Sequence, residues 1–324
     1  MQRRNGGQIT DKDGKWRGIE INPALLGTAV GFGAACFFLP GGYDALRFYL
    51  HAPTAETTAP AWVYLLTYPL GLLPWPWGWA ILTTVSVYLA GLRLSSVFPA
   101  SGGGKWWWVA VFGAPLVWNI WLGQIEVFPV AGLLLSGLVW KRRLHPLWLG
   151  LAWLGLLTKP QVGAGLLLII SAWVWQEQGK KAIFWAGLSA MGVILLTLAL
   201  WPGWLFRWVA AVRALQPGWW NAALWPYGLA ALPLAFLPLA MPPERRLRMV
   251  GAATLLSSPY FALYHCLTLT TLADTPLALA FSWLPVILGA TLGGEWMKWG
   301  WLLPVSMLIM DVLGIIKERR LRRA

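Results

Sequence analysis

Acidic residues are scarce in this chain: Asp and Glu number 12 against 25 Lys and Arg in 324 residues, with only 3 His and 2 Cys. Cys36 and Cys266 both lie in apolar runs, so neither a disulfide framework nor a cysteine metal site is expected. The sequence has no phosphate-cradling Walker loop, no GxGxxG after a strand and no HExxH. No metal ligand set and no cofactor is therefore expected, and nothing in the sequence bears on a divalent cation requirement. Charged residues make up 11% of the chain, well below the roughly 25% of a soluble domain, and an ordinary soluble domain is excluded.

What is present is apolar. Hydrophobic residues are 58% of the chain and the mean hydropathy is +0.60. Apolar segments run roughly 21–39, 76–97, 106–122, 125–140, 146–158, 160–175, 182–201, 226–241, 247–258, 260–273, 276–292 and 297–316. The expected fold is all-α, a polytopic transmembrane helical bundle of about 10 to 12 segments, some of them short or re-entrant. Residues 1–20 read as a polar cytoplasmic tail, 21–316 as one transmembrane domain with outer loops 40–75 and 202–225, and 317–324 as a basic cytoplasmic tail. The first apolar run reads as a retained span, because no small-residue cleavage site followed by a soluble domain accompanies it.

A net charge of +13 would suggest nucleic acid in a soluble protein, but its placement here indicates orientation instead. With the N-terminus in the cytoplasm and sides alternating, Arg3 to Arg17, Arg93, Lys105, Lys141 to Arg143, Lys180, Lys181, Arg245, Arg246, Arg248 and Lys317 to Arg323 all fall inside. These are 20 of the 25 basic residues, the asymmetry of an inner-membrane protein with both termini cytoplasmic. No nucleic-acid partner is expected; the bilayer itself is. Arg47, Lys159, Arg207, Arg213 and Lys298 remain on the outer side with no topological reason to be there.

Several segments are too short to cross a bilayer core of about 30 Å at 1.5 Å per residue. The tips Thr158-Lys159-Pro160-Gln161 and Ser257-Ser258-Pro259-Tyr260 should then lie below the outer surface, where irregular backbone survives only against protein or a water-filled cavity. An outward-facing polar cavity follows. Ala61 to Pro74 reads as a re-entrant or interfacial helix anchored by Trp75-Pro76-Trp77-Gly78-Trp79. Most of the 26 Trp belong to interface belts, Trp219 and Trp220 in the second outer loop being the partial exception.

Asp44, Arg47, His51, Gln124, Glu126, Lys159, Gln161, Arg207, Arg213, Asn221 and His265 gather on that outer side. Asp44 follows Gly41-Gly42, which permit a tight turn, and can act as general base toward an acceptor hydroxyl or pair with Arg47 one turn later. Lys159, between apolar segments, needs either a carboxylate such as Glu126 or an anionic ligand such as a lipid-linked phosphate. Arg207 and Arg213 sit in a Trp-rich amphipathic loop suited equally to headgroups and to a substrate. His265 is open between a structural bond within the bundle and a phosphate or hydroxyl contact. His145 and Asp311, near cytoplasmic ends, read as interface residues whose polar tips reach water.

In order along the chain, several short motifs resemble those of the polytopic GT-C glycosyltransferases, most closely the bacterial family 87 type of polyprenyl-phosphate-mannose-dependent mannosyltransferase. Tyr43-Asp44 with Tyr49 is similar to the family's first-loop aspartate motif, and Tyr64 to Pro74 to the tyrosine- and proline-rich stretch after it. Gly123-Gln124-Ile125-Glu126 resembles a Gly-Gln-x-Asn turn, with Glu126 standing where the family usually has Asn. Gly150 through Thr158-Lys159-Pro160, and Leu256-Ser257-Ser258-Pro259-Tyr260 with His265, resemble its Lys-Pro segment and its Ser-Pro-Tyr turn. The resemblance implies an inverting transfer of mannose or another hexose from a polyprenyl-phosphate donor to a hydroxyl of a glycan or glycolipid acceptor, outside the cytoplasm. It implies Asp44 as catalytic base, with Arg47, His51, Gln124, Glu126, Lys159, Gln161, Arg207, Arg213 and His265 as candidate substrate contacts. Two other classes stay open: a multi-span transporter, since buried Lys, Glu and His also mark ion pathways, and a noncatalytic membrane scaffold. No internal repeat of the kind transporters carry is evident.

Overall fold

Helices that are apolar on every face cannot be packed by a single amphipathic stripe, and the chain instead brings them together through small residues and a few polar ties. The structure, a computed structural model, describes residues 22–54, 57–92, 107–214, 218–236 and 241–321; the expectations for the tail 1–20, Arg93, Lys105 and the last basic residues lie outside these. Among the described residues the fold is all-α, without strands.

Helix α1 spans Pro23–Ala35 and is N-capped by Asn22, whose side chain accepts from the backbone of Ala24 and Leu25. A tight π-turn at Ala45–Tyr49 precedes the short α2 (Tyr64–Gly71), and α3 (Trp77–Gly91) returns against α1. The run 106–122 is broken into α4 (Trp107–Val111) and α5 (Ala114–Leu122) by Gly113 and Pro115. There follow α6 (Val127–Trp140), α7 (Leu147–Leu157), α8 (Pro160–Gln178), α9 (Lys180–Leu200) and α10 (Trp204–Ala214). The last part holds α11 (Leu232–Phe236), α12 (Pro243–Leu256), α13 (Leu267–Thr270), α14 (Leu277–Leu292) and α15 (Leu302–Leu321).

Helix α7 lies between α6 and α9 with almost no side-chain thickness on either face. A Cβ on Gly155 would stand 3.1 Å from Gly132 Cα, and Ser189 of α9 donates to Leu147 O at 2.6 Å. One end of the array is marked by Arg142 and Gln178, which bond to Glu177 O and Val139 O at 2.5 and 2.7 Å and tie the C-terminal ends of α6 and α8. The α5–α6 and α7–α8 turns, carrying Gln124 and Lys159, therefore share the other end.

Among the described residues two helical stretches, Lys180–Leu200 and Gly294–Leu321, are long and apolar enough to cross a membrane. Seven shorter apolar stretches of helix run 10–17 residues, Trp107–Leu122 counted as one. Helix α9 buries only Ala182, Ala186 and Thr197 and exposes Phe184, Leu188, Met191, Leu195, Leu196 and Leu200, more apolar surface on one helix than water-facing elements carry.

Two expectations are corrected. The run 260–273 is not one span: extended backbone at Ala262 leads into a 3-10 turn, Leu263–Cys266, and then the single turn of α13. Thr270 and Thr271 there turn their hydroxyls onto carbonyls three residues back, an alternative to continuing the helix. Asp311 does not reach for water. It is 3% exposed and receives both Nε and Nη2 of Arg248 at 3.0 and 2.5 Å, while Arg248 also meets Asp274 at 2.9 Å and Leu272 O at 2.8 Å. A charge buried between α12 and α15 is stable only with its partners in place, and here the pair supplies both. His145 does sit at an exposed turn, accepting from Leu147 N at 3.2 Å.

The α7–α8 turn depends on Gly163, whose missing Cβ would lie 1.9 Å from Leu156 O. Gly163→Ala is expected to lower stability by about 1–3 kcal/mol through overpacking. The check is thermal unfolding of the purified chain beside Gly187→Ala, a helix-interior position with nothing within 4 Å, which should leave the midpoint unchanged or raise it.

Candidate functional site

Two glycine turns create the site. Gly42, at φ +71°, donates its N–H to Trp121 O at 2.7 Å, and Gly123, at φ +73°, ends α5 in the left-handed conformation that only glycine adopts cheaply. They press on one another: a Cβ on Gly123 would meet Ala45 Cβ at 2.6 Å. The residues just after each turn, Asp44 and Gln124, are thereby set side by side. Asn119, one turn back in α5, accepts from Glu126 N at 3.2 Å and fixes the start of α6.

Gln124 uses both ends of its amide. Its Nε2 donates to Asp44 Oδ2, and its Oε1 accepts from Tyr49 OH at 3.1 Å and from Lys159 Nζ at 3.3 Å. Lys159, delivered by the α7–α8 turn, also meets Glu126 Oε1 at 3.2 Å and lies 5.4 Å over the ring of Tyr264. Of the two roles weighed for Lys159, the ion pair with Glu126 is thus formed. His265 Nε2 stands 3.8 Å from the same carboxylate oxygen. Its Nδ1 accepts from Ala262 N at 2.7 Å, which leaves the ring proton on Nε2 in the neutral form.

These side chains border a cavity of about 940 Å³. Asp44 is its one carboxylate and Lys159 its one ammonium or guanidinium group among the described lining residues; Gln124, Gln161 and His265 also line it. Glu126 is fully buried behind Lys159 instead of on the wall. Much of the rest is aromatic or apolar: Phe48, Tyr49, Trp208, Trp220, Tyr260 and Tyr264 contribute, as do Val212 and Leu232. Trp220 packs edge-on against Tyr260 with centroids 5.2 Å apart, while Trp219 is 57% exposed, so the exception made for this pair holds for one of them.

Four candidates are elsewhere. Arg47 projects outward with its guanidinium 5.0 Å over the Phe48 ring, His51 is exposed, and Arg207 donates to Pro202 O at 3.1 Å on the exposed face of α10; Arg213 is exposed on that helix too. The reason is periodicity: α10 turns Trp208 and Val212, four apart, toward the cavity and its arginines away. Asn221 has a structural role, accepting from Ala223 N and Phe261 N. The sequence reading passed over Tyr264, Trp208 and Asn119. Tyr260 and Tyr264, four residues apart and just before His265, were the legible signal for the first.

Burial pushes the Asp44 carboxyl above its ordinary value, opposed in part by the Gln124 hydrogen bond and by the charges of Lys159 and Arg47. The cavity holds a partly desolvated carboxylate, oriented by an amide, next to a cation already engaged. Comparison with protein-family models, with curated proteins and with solved structures finds no match for this chain.

A carboxyl whose folded-state value is raised contributes stability below its unfolded value, and this is lost as pH rises through the folded value. Asp44→Asn should therefore melt at or above wild type near pH 8, with the difference shrinking as pH falls through the raised carboxyl range. Thermal unfolding of both proteins across pH checks this; a variant less stable at high pH than at low, relative to wild type, contradicts it.

Proposed function

We propose that the chain is a polytopic membrane glycosyltransferase of the GT-C kind, moving a hexose from a polyprenyl-phosphate donor to an acceptor hydroxyl on the extracytoplasmic side. The observation that carries this reading is the wall of the cavity, where one oriented carboxylate and one ammonium face a largely apolar and aromatic space. A hydrolase working through paired carboxylates needs two at a defined separation. A phosphate leaves without being protonated, so transfer from a lipid phosphate needs one base and a cation, and that is the set present. Asp44 removes the proton from the acceptor hydroxyl as that oxygen attacks the anomeric carbon; the bond to the phosphate oxygen breaks with inversion, and Lys159 receives the phosphate charge. The aromatic walls suit sugar faces and the isoprenoid chain.

Membrane placement is part of the proposal. It is supported by the lipid-like surface of α9, by the two long apolar helices, and by the basic residues at the end of the array opposite the cavity. The fold then serves as one domain with its cavity facing outward. Arg207 and Arg213, exposed on α10, lie where they would meet headgroups.

In membranes supplied with labelled polyprenyl-phosphate sugar, Asp44→Asn should lower transfer by about 10²–10⁴-fold, the usual contribution of a positioned base. Full activity in that variant removes the proposed base; absence of transfer from any lipid-linked sugar, with solute flux in liposomes, assigns the cavity to transport. The sidedness has its own check. Because Cys36 and Cys266 are buried, Arg47→Cys and Arg213→Cys should each label in intact cells with a membrane-impermeant maleimide over a low background, and labelling only after lysis reverses the topology.

A further inference from the structure

Glu126 is an unusual partner for a ligand-binding lysine. It is fully buried, its Oε2 receives no hydrogen bond from the described residues, and its Oε1 is met by the Lys159 ammonium. Its compensation is the Lys159 ammonium at 3.2 Å, with His265 Nε2 further off at 3.8 Å. A buried carboxylate with so little support keeps its charge only while that ammonium stays with it.

Lys159 faces two ways, since it lines the cavity while Glu126 lies behind it. An anion arriving in the cavity would leave two anions sharing one ammonium, with Asp44 nearby within reach of the same charge. The inexpensive resolution in a low-dielectric site is neutralisation of the member that cannot be solvated. We propose that an anion binds at Lys159 together with one proton, taken up by Glu126, so that this is a proton-linked anion site. The proton reaches Glu126 Oε1 from the Lys159 ammonium, which is reprotonated through cavity water by a proton drawn from the bulk buffer, so the lysine ends charged and bonded to the anion, the glutamate ends neutral and no hydroxide is left behind. This inference deepens the proposed function and rests on its assignment of Lys159 to a phosphate.

The neighbouring titratable groups are poor competitors for the proton. From the first outer turn, Asp44 holds its Gln124 bond and Tyr49 donates to Gln124. From the segment after Pro259, Tyr260 and Tyr264 share a hydroxyl contact at 3.4 Å, and Cys266 is a buried thiol. His265 in the same segment already accepts from Ala262 N at 2.7 Å on Nδ1, and a second ring proton would have to displace that bond. The proton therefore goes to Glu126.

The experiment uses the full chain in lipid nanodiscs and, as probe, farnesyl methyl phosphate, a phosphodiester whose single charge is constant from about pH 5 to about pH 8. Calorimetry in two buffers of different ionisation enthalpy should show close to one proton taken up per probe bound, and affinity should fall about tenfold per pH unit above the Glu126 titration. Glu126→Gln should bind the probe without proton uptake, at an affinity independent of pH and at least about tenfold tighter than wild type near pH 8. Wild-type binding without proton uptake overturns the linkage while leaving the phosphate site standing, and uptake that persists in Glu126→Gln overturns the assignment to this residue. Binding that Lys159→Ala leaves intact, or no binding by any form, overturns the phosphate role of Lys159 and the linkage with it.

Discussion

A side-chain amide can donate from its nitrogen while accepting on its oxygen, and Gln124 does both between groups of opposite charge. Its Nε2 orients the Asp44 carboxylate and its Oε1 accepts hydrogen bonds from Lys159 and from Tyr49, so the turn carrying Asp44 and Tyr49 and the α7–α8 turn are both registered on one residue. An acid at this position would repel Asp44, and a base would repel Lys159. The amide serves both without adding charge to a poorly solvated space, where an uncompensated charge is costly. The pair of glycine turns exists, in structural terms, to bring this amide and Asp44 within reach of each other.

The site's location was legible for physical reasons that can be named. Segments such as Leu147–Leu157 are short beside α9, and Lys-Pro and Ser-Pro punctuation marks the turns that follow such segments. That logic brought Asp44, Gln124, Lys159, Gln161 and His265 to one cavity. It failed for Arg47, His51, Arg207 and Arg213, because knowing the end of the array on which a residue lies says nothing of which way its side chain points. In α10 the direction is set by which face Trp204 and Trp208 bury, Trp208 donating to Thr58 O at 2.8 Å, and a pattern of alternating Trp and Arg allows either face. The run 260–273 failed differently: composition made it read as one apolar helix, whereas hydroxyl-to-backbone bonds and the His265 contact divide it.

Asp44 illustrates a trade between stability and chemistry. Its burial opposes ionisation, and the same burial makes its carboxylate a stronger base than one in water. The glycine turns and Gln124 hold it at that disadvantage, since the Gly123 turn and Gln124 lie directly before the start of α6. A site maintained against local stability in this way requires rigid support, and the close α6–α7 and α7–α9 contacts supply it through Gly132, Gly155 and Ser189.

Two buried charge clusters among the described residues differ in how their carboxylates are held. Arg248 distributes its guanidinium over Asp311, Asp274 and Leu272 O, so that both oxygens of Asp311 accept from it, and Asp311 also meets Arg245 at 3.6 Å; this cluster joins α12, the turn after α13 and α15. Lys159 and Glu126 lie beyond the other end of α12, about nine residues or roughly 14 Å further along that helix, where Ser257 and Ser258 border the cavity. There Glu126 Oε2 receives no hydrogen bond from the described residues, Oε1 has the Lys159 ammonium, and that ammonium also lines the cavity. A saturated cluster has nothing to offer a ligand, and its removal costs structure. An unsaturated one retains capacity that folding has not consumed, and a buried group left in that condition is the place where binding can supply what the protein itself withholds.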